Sequence, residues 1–184
     1  AIIAIGSFAA KMIGAVYRVP LTNLLGSYGL GVYQMVFPVY GMLLTLSGAS
    51  VPTVLSKLVA EREEEEGKRM LRAALTLLPA IGFFFALLMA IFSRPLARLQ
   101  GNADARYCYL ALAPSVFFVS TFASIRGYFQ GKMNMLPTAL SQLVEQVVKL
   151  GVGLFFAHAL LPSPVKAAAG ATLGVSVSEG AAAL

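Results

Sequence analysis

The chain has 184 residues, 58% of them apolar and only 12% charged, and its formal net charge is +6. A soluble domain carries roughly 25% charged residues to keep its outside wet, so this composition excludes a soluble globule and puts lipid against much of the surface. The positive charges are scattered between apolar runs, with no basic stripe of interleaved aromatics. That excludes a nucleic-acid interface and leaves membrane lipid headgroups or an anionic substrate as partners.

A membrane-crossing helix needs about 20 mostly apolar residues. Positions 19–56 carry no charge, too long for one simple span, and the turn-forming stretch at 23–29 (NLLGSYG) divides them. The first expected span is therefore 2–24 and the second 30–57. Pro38 and Pro52 fall inside the second and remove helical hydrogen bonds, which is tolerated where neighbouring helices or water satisfy the freed carbonyls. The charge run at 61–69 (EREEEEGKR) is expected to be a solvated loop, because like charges repel and avoid packed interiors. A third span at 71–93 leads to a polar connection with Arg94, Arg98, Asp104 and Arg106. The fourth span, 107–125, ends near Arg126, and a short loop follows at 127–134. The fifth, 136–160, is closed by Pro162 and Pro164, and the sixth covers 165–184.

The expected fold class is an all-α membrane protein, with about six transmembrane helices in a compact bundle. A start without methionine and a stop inside an apolar run are expected of a piece of a longer protein. Lysine and arginine favour the cytoplasmic side of short loops. Lys57, Arg62, Lys68, Arg69, Arg72, Arg126 and Lys132 fall on one side, and Arg94, Arg98, Arg106 and Lys166 on the other. The richer side carries the N-terminus and the 61–69 run, so both are expected in the cytoplasm.

Charges inside spans are expensive and mark function. Lys11 and Arg18 are seven residues apart, so they share one helical face about 10 Å apart along the axis. Ser7 and Gly14 fall on that face too. Either both side chains snorkel to the two membrane interfaces, or both point into a watery cavity and attract an anion; the inward position of Lys11 favours the cavity. In the fifth span, Glu145 precedes Lys149 by four residues, the favoured order for a helical ion pair. Thr138, Ser141 and Gln142 extend the polar stripe, with Leu140, Leu143, Val144 and Val147 opposite. Such a stripe faces a bundle interior or a cavity, as a structural lock or as a lining.

The lone Cys108 is expected to be a buried filler and the lone His158 an interfacial or packing residue. Without tryptophan, Tyr28, Tyr107, Tyr109 and Tyr128 are expected to anchor the span ends. The sequence has no nucleotide-binding glycine loop, no metal-ligand spacing and no nucleophile–base pair, so no cofactor, metal or catalytic residue is expected.

Several runs resemble the stage V sporulation protein B family: KMIGAVYRVPLTNLLG at 11–26, GLGVYQ at 29–34, PVY at 38–40, LS at 46–47, VP at 51–52 and SKLVAE at 56–61. A later block resembles the same family, with RGYFQG at 126–131, NM at 134–135, PT at 137–138 and EQ at 145–146. The family belongs with the polysaccharide transporters and lipid II flippases of the multidrug/oligosaccharidyl-lipid/polysaccharide exporter superfamily. The resemblance implies about twelve to fourteen helices in two lobes around a cavity, with this chain most of the first lobe and the second lobe missing from it. It also implies a polyprenyl-pyrophosphate-linked oligosaccharide as substrate, moved across the bacterial cytoplasmic membrane by alternating access. The related flippases place basic residues of their first helix in the cavity; Lys11 matches the first by position, and Arg18 sits one residue from the next. Glu145 belongs to the sporulation-type branch. The expected substrate-binding residues are thus Lys11, Arg18, Glu145 and Lys149. An ion-coupled multidrug exporter using Glu145, which the cationic stripe disfavours, and a non-transporting scaffold for envelope assembly are the alternatives.

Overall fold

A computed structural model describes the backbone of residues 2–48 and 51–183, and their side chains from Phe8 onward. Residue 1, the Ser7 side chain, positions 49 and 50 of the second expected span and Leu184 lie outside the described residues. The described residues form eight helices: α1 (Ile2–Met35), α2 (Phe37–Leu46), α3 (Val51–Ala60), α4 (Glu64–Ile91), α5 (Ser93–Leu99), α6 (Ala105–Gly131), α7 (Leu136–Ala159) and α8 (Pro164–Ala182). The protein is all-α and multi-pass. Among the described residues, four stretches are long and apolar enough to cross a membrane: Phe8–Ala60, Glu64–Ile91, Ala105–Gly131 and Leu136–Ala159.

The first stretch, at 53 residues, is long enough to cross twice, since a hydrocarbon core is about 30 Å thick and each helical residue advances about 1.5 Å. Its path can be followed along α6. The carbonyl of Met35, at the end of α1, accepts from Gln100 just before α6 begins. Ser47, after α2, meets Ser120 halfway along α6 at 3.0 Å. Leu55 and Val59 of α3 then press on Gly127 and Gly131 at the far end. The returning pass is therefore broken into α2 and α3. Proline at the second residue of each piece fits this, because a first-turn position needs no amide hydrogen.

Two helices make the centre. On α6, Tyr109, Leu112, Val116 and Ser120 are all fully buried, and on α8 so are Ala167, Ala168, Ala171 and Thr172. Lipid offers helices no hydrophobic reason to associate, so close backbone approach at small residues takes over. A methyl group on Gly174 of α8 would overlap the α-carbon of Gly153 on α7, and one on Gly170 would sit 2.7 Å from the Phe156 carbonyl oxygen. Ser176 of α8 donates to the Ala111 carbonyl of α6 at 2.6 Å. Outside this centre the large apolar side chains turn outward: Phe83, Phe84 and Leu87 on α4, and Val147 and Phe155 on α7. The result is the inverted surface of a lipid-facing bundle.

The helices depart from the expected spans in ways that have physical causes. The expected break at 23–29 falls on Gly26 (φ 64°, ψ −175°), and the chain then continues as helix to Met35. That conformation is essentially glycine-only, and another residue there costs roughly 1–3 kcal/mol. Gly26→Ala is expected to lose about that much stability, read as a lower unfolding midpoint of the full-length protein in detergent. Gly31→Ala, equally uncrowded but helical, is the neutral comparison.

The charge run is exposed, but from Glu64 onward it is helix rather than loop. Three acids in its first turn suit the positive end of the dipole. Arg62–Glu66 at 2.9 Å and Lys68–Glu64 at 3.2 Å are both pairs four residues apart. The polar connection holds the short helix α5, and 127–131 extends α6 rather than looping. Tyr109 is fully buried instead of anchoring an interface, with its hydroxyl donating to Gln100 at 2.7 Å. Cys108 is a buried filler. The expected sixth span is helical as α8, yet its alanine, glycine and serine content keeps it out of the set apolar enough to cross alone.

Candidate functional site

The polar stripe of α7 faces the bundle. Thr138 is 4% exposed and Ser141 8%, while Leu140 and Val147 on the opposite face are 53% and 58% exposed. Glu145 and Lys149 lie between these extremes, their side chains 17% and 19% exposed, with Nζ 3.9 Å from the carboxylate. The Gln146 amide donates to Glu145 at 3.0 Å.

Helix α1 packs along this stripe and leaves two adjoining clefts that share Gly14. The first, about 460 Å³, is lined by Lys11, Gly14, Arg126, Gln142, Glu145 and Gln146. The second, about 370 Å³, is lined by Tyr17, Arg18, Tyr33, Gln34 and Lys149 among others. The helices pass close at Gly14, where a methyl group would sit 3.2 Å from the Gln146 side-chain carbonyl oxygen. The four residues singled out by sequence thus fall two to a cleft, Lys11 with Glu145 and Arg18 with Lys149.

The two helices hold their charges differently. Lys11 and Arg18 are exposed, and among the described residues neither has an acidic group within ion-pair distance. Lys149 and Glu145 are half-buried and paired. An exposed cation bordering a polar cleft keeps its donors free for an incoming anion.

Two charged residues escape the sequence reading. Arg126 was expected at a span end, but α6 carries on past it to Gly131. Its guanidinium lies inside, 3.8 Å from Glu145 and with its carbon 4.5 Å from the centre of the Phe122 ring. The apolar Tyr128 and Phe129 beyond it were the available signal. The second is Glu179, an acid in the apolar run of α8 that lies in the fields of Arg126, Glu145 and Lys149. The rule that marks Glu145 as an intramembrane charge applies to it equally. Among the described residues, no group of three His, Cys, Asp or Glu could hold a metal ion.

The chain is similar to stage V sporulation protein B of Bacillus subtilis (strain 168), 35% identical over 176 residues, covering 92% of this chain and 34% of that protein. It is 34% identical over 148 residues to the membrane protein YabM of the same organism, covering 79% of this chain and 28% of YabM. It is 24% identical over 162 residues to that organism's lipid II flippase MurJ, covering 81% of this chain and 30% of the flippase. The chain therefore spans about a third of the length of the curated relatives it matches. No solved structure matches it. The family model described as "Polysaccharide biosynthesis protein" matches residues 1–184, and the chain belongs to that family.

Proposed function

We propose that this chain supplies the first helices of a flippase that moves a polyprenyl-pyrophosphate-linked saccharide across the cytoplasmic membrane. The observation that carries the reading is the pair of exposed, acid-free cations, Lys11 and Arg18, each bordering a cleft whose other wall is the polar stripe of α7. A pyrophosphate leaving water needs fixed cations at membrane depth, while its lipid tail can stay among the acyl chains. The likeness to a lipid II flippase supports the same substrate chemistry. In this reading the protein transports and makes no bonds, and a second lobe outside this chain closes the cavity. The end bearing Arg62, Lys68 and Lys132 faces the cytoplasm. A multidrug exporter needs a carboxylate free to meet a cation, whereas Glu145 already lies between Arg126 and Lys149.

Thiol accessibility tests the reading. Single cysteines at positions 11, 18, 145 and 149 of the full-length protein, in a Cys108→Ser background, are expected to react with a small water-soluble reagent. Lipid-linked precursor should block that labelling. Absence of labelling at all four would mean buried locks and snorkelling anchors, and the flippase reading would be abandoned. Labelling that drug cations block, and the precursor does not, would favour the exporter.

A further inference from the structure

We infer that Arg126 is a third cation for the phosphate group of the transported lipid, and that Glu145 is its resident counter-anion, released when the phosphate arrives. The inference rests on the flippase reading and adds a ligand from α6 that lies far from Lys11 in sequence.

Arg126 borders the same cleft as Lys11, with Gln142 and Gln146 on the α7 wall. A guanidinium taken out of water needs acceptors for its five N–H groups as well as an opposite charge. Here the charge is balanced and the donors are not. Nε and Nη2 are buried with no hydrogen-bond partner. The Glu145 carboxylate stands 3.8 Å from Nη2, beyond the roughly 3.2 Å limit of a good hydrogen bond. Phe122 lies under the guanidinium carbon and supports the group as a cation–π partner.

Glu145 is held as loosely, with Lys149 3.9 Å away and the neutral Gln146 amide donating to it at 3.0 Å. Such a pair cancels charge without locking geometry. Phosphate oxygens can take the donors that Glu145 leaves unmet, two at a time, and Glu145 can then turn to Lys149 four residues along its own helix. Glu179 of α8 lies within electrostatic range of Arg126, Glu145 and Lys149. The cleft is then an anion site with a built-in competitor, which binds the diphosphate and also lets it go.

A competitor and a structural partner behave oppositely when neutralised. Farnesyl diphosphate is titrated calorimetrically into the purified full-length protein, with farnesol as the uncharged control. Arg126→Gln is expected to weaken diphosphate binding about tenfold or more, the worth of one charge-assisted contact, and Arg126→Lys to restore it only partly. Glu145→Gln is expected to tighten binding several-fold, and that gain should vanish in the Arg126→Gln/Glu145→Gln double variant, which carries no unpaired charge at the pair. A Glu145→Gln protein that binds the same or more weakly overturns the inference, as does a gain that persists without Arg126. If Lys11→Gln weakens binding while Arg126→Gln does not, this inference fails and the flippase reading stands. If the wild-type protein prefers farnesol or ignores the diphosphate, both fall.

Discussion

Substituting Gly174 with leucine is expected to cause the largest loss of folded protein of any single change considered. The position has no room: even a methyl carbon would overlap the Gly153 α-carbon and lie 2.7 Å from its nitrogen. The obstacle is backbone, so no rotamer change relieves it and α7 must move bodily off α8. Overpacking in a close-packed interior costs typically 1–3 kcal/mol and occasionally more, and a backbone obstacle belongs at the upper end. Against a total stability of about 5–15 kcal/mol, that is enough to lower the yield of monodisperse protein severely. Gly151→Leu, on α7 but facing open space, adds the same side chain without the clash. Thermal unfolding followed by size-exclusion chromatography of the full-length protein distinguishes them. Equal midpoints for the two variants would show that the crossing does not hold the bundle together.

Neutralising both basic residues of α1, as Lys11→Gln/Arg18→Gln, is expected to abolish transport while leaving insertion and expression normal. Charge-assisted hydrogen bonds contribute roughly 1.5–3 kcal/mol each. Losing two that hold the same diphosphate therefore lowers transport by at least about a hundredfold. The fold should tolerate the change, because both side chains are exposed and neither belongs to an ion pair among the described residues. The check is flipping of a fluorescent lipid-linked precursor by the full-length protein in vesicles, beside a blot of the membrane fraction. A conservative Lys11→Arg/Arg18→Lys variant should keep part of the activity. Wild-type flipping by the glutamine variant would mean that the two cations are interfacial anchors, as the snorkelling reading has it.

Periodicity and charge made α7 readable from sequence, because one face of that helix touches lipid and the other touches protein. Leu140, Val144 and Val147 against Ser141, Glu145 and Lys149 is a contrast that survives without coordinates. Gly26 was readable for a different reason, since the turn-forming residues around it mark a change of backbone. Arg126 was hidden by the rule that makes spans easy to find. A charge ends an apolar window, so a helix that buries its arginine close to its end looks shorter than it is. Glu179 was hidden because α8 touches protein almost all round and shows no clean stripe. The acidic run is in water as expected, but its helical state is supported by local pairs such as Lys68–Glu64, and repulsion between like charges does not reveal those.

The central position of α8 has a consequence for how the protein is made. A helix bearing Glu179 among alanines and glycines gains little by leaving water for lipid alone, because a charge carried into the membrane costs up to about 2.5–3.5 kcal/mol on an insertion scale. It becomes favourable only against surfaces already in place: the glycine track of α7, and the Ala111 carbonyl of α6 that Ser176 caps. During synthesis α6 and α7 must therefore enter the bilayer first and wait with a vacant groove between them. Biogenesis is then most vulnerable in the interval between the emergence of α7 and that of α8, when an insertase or membrane chaperone has something to shield.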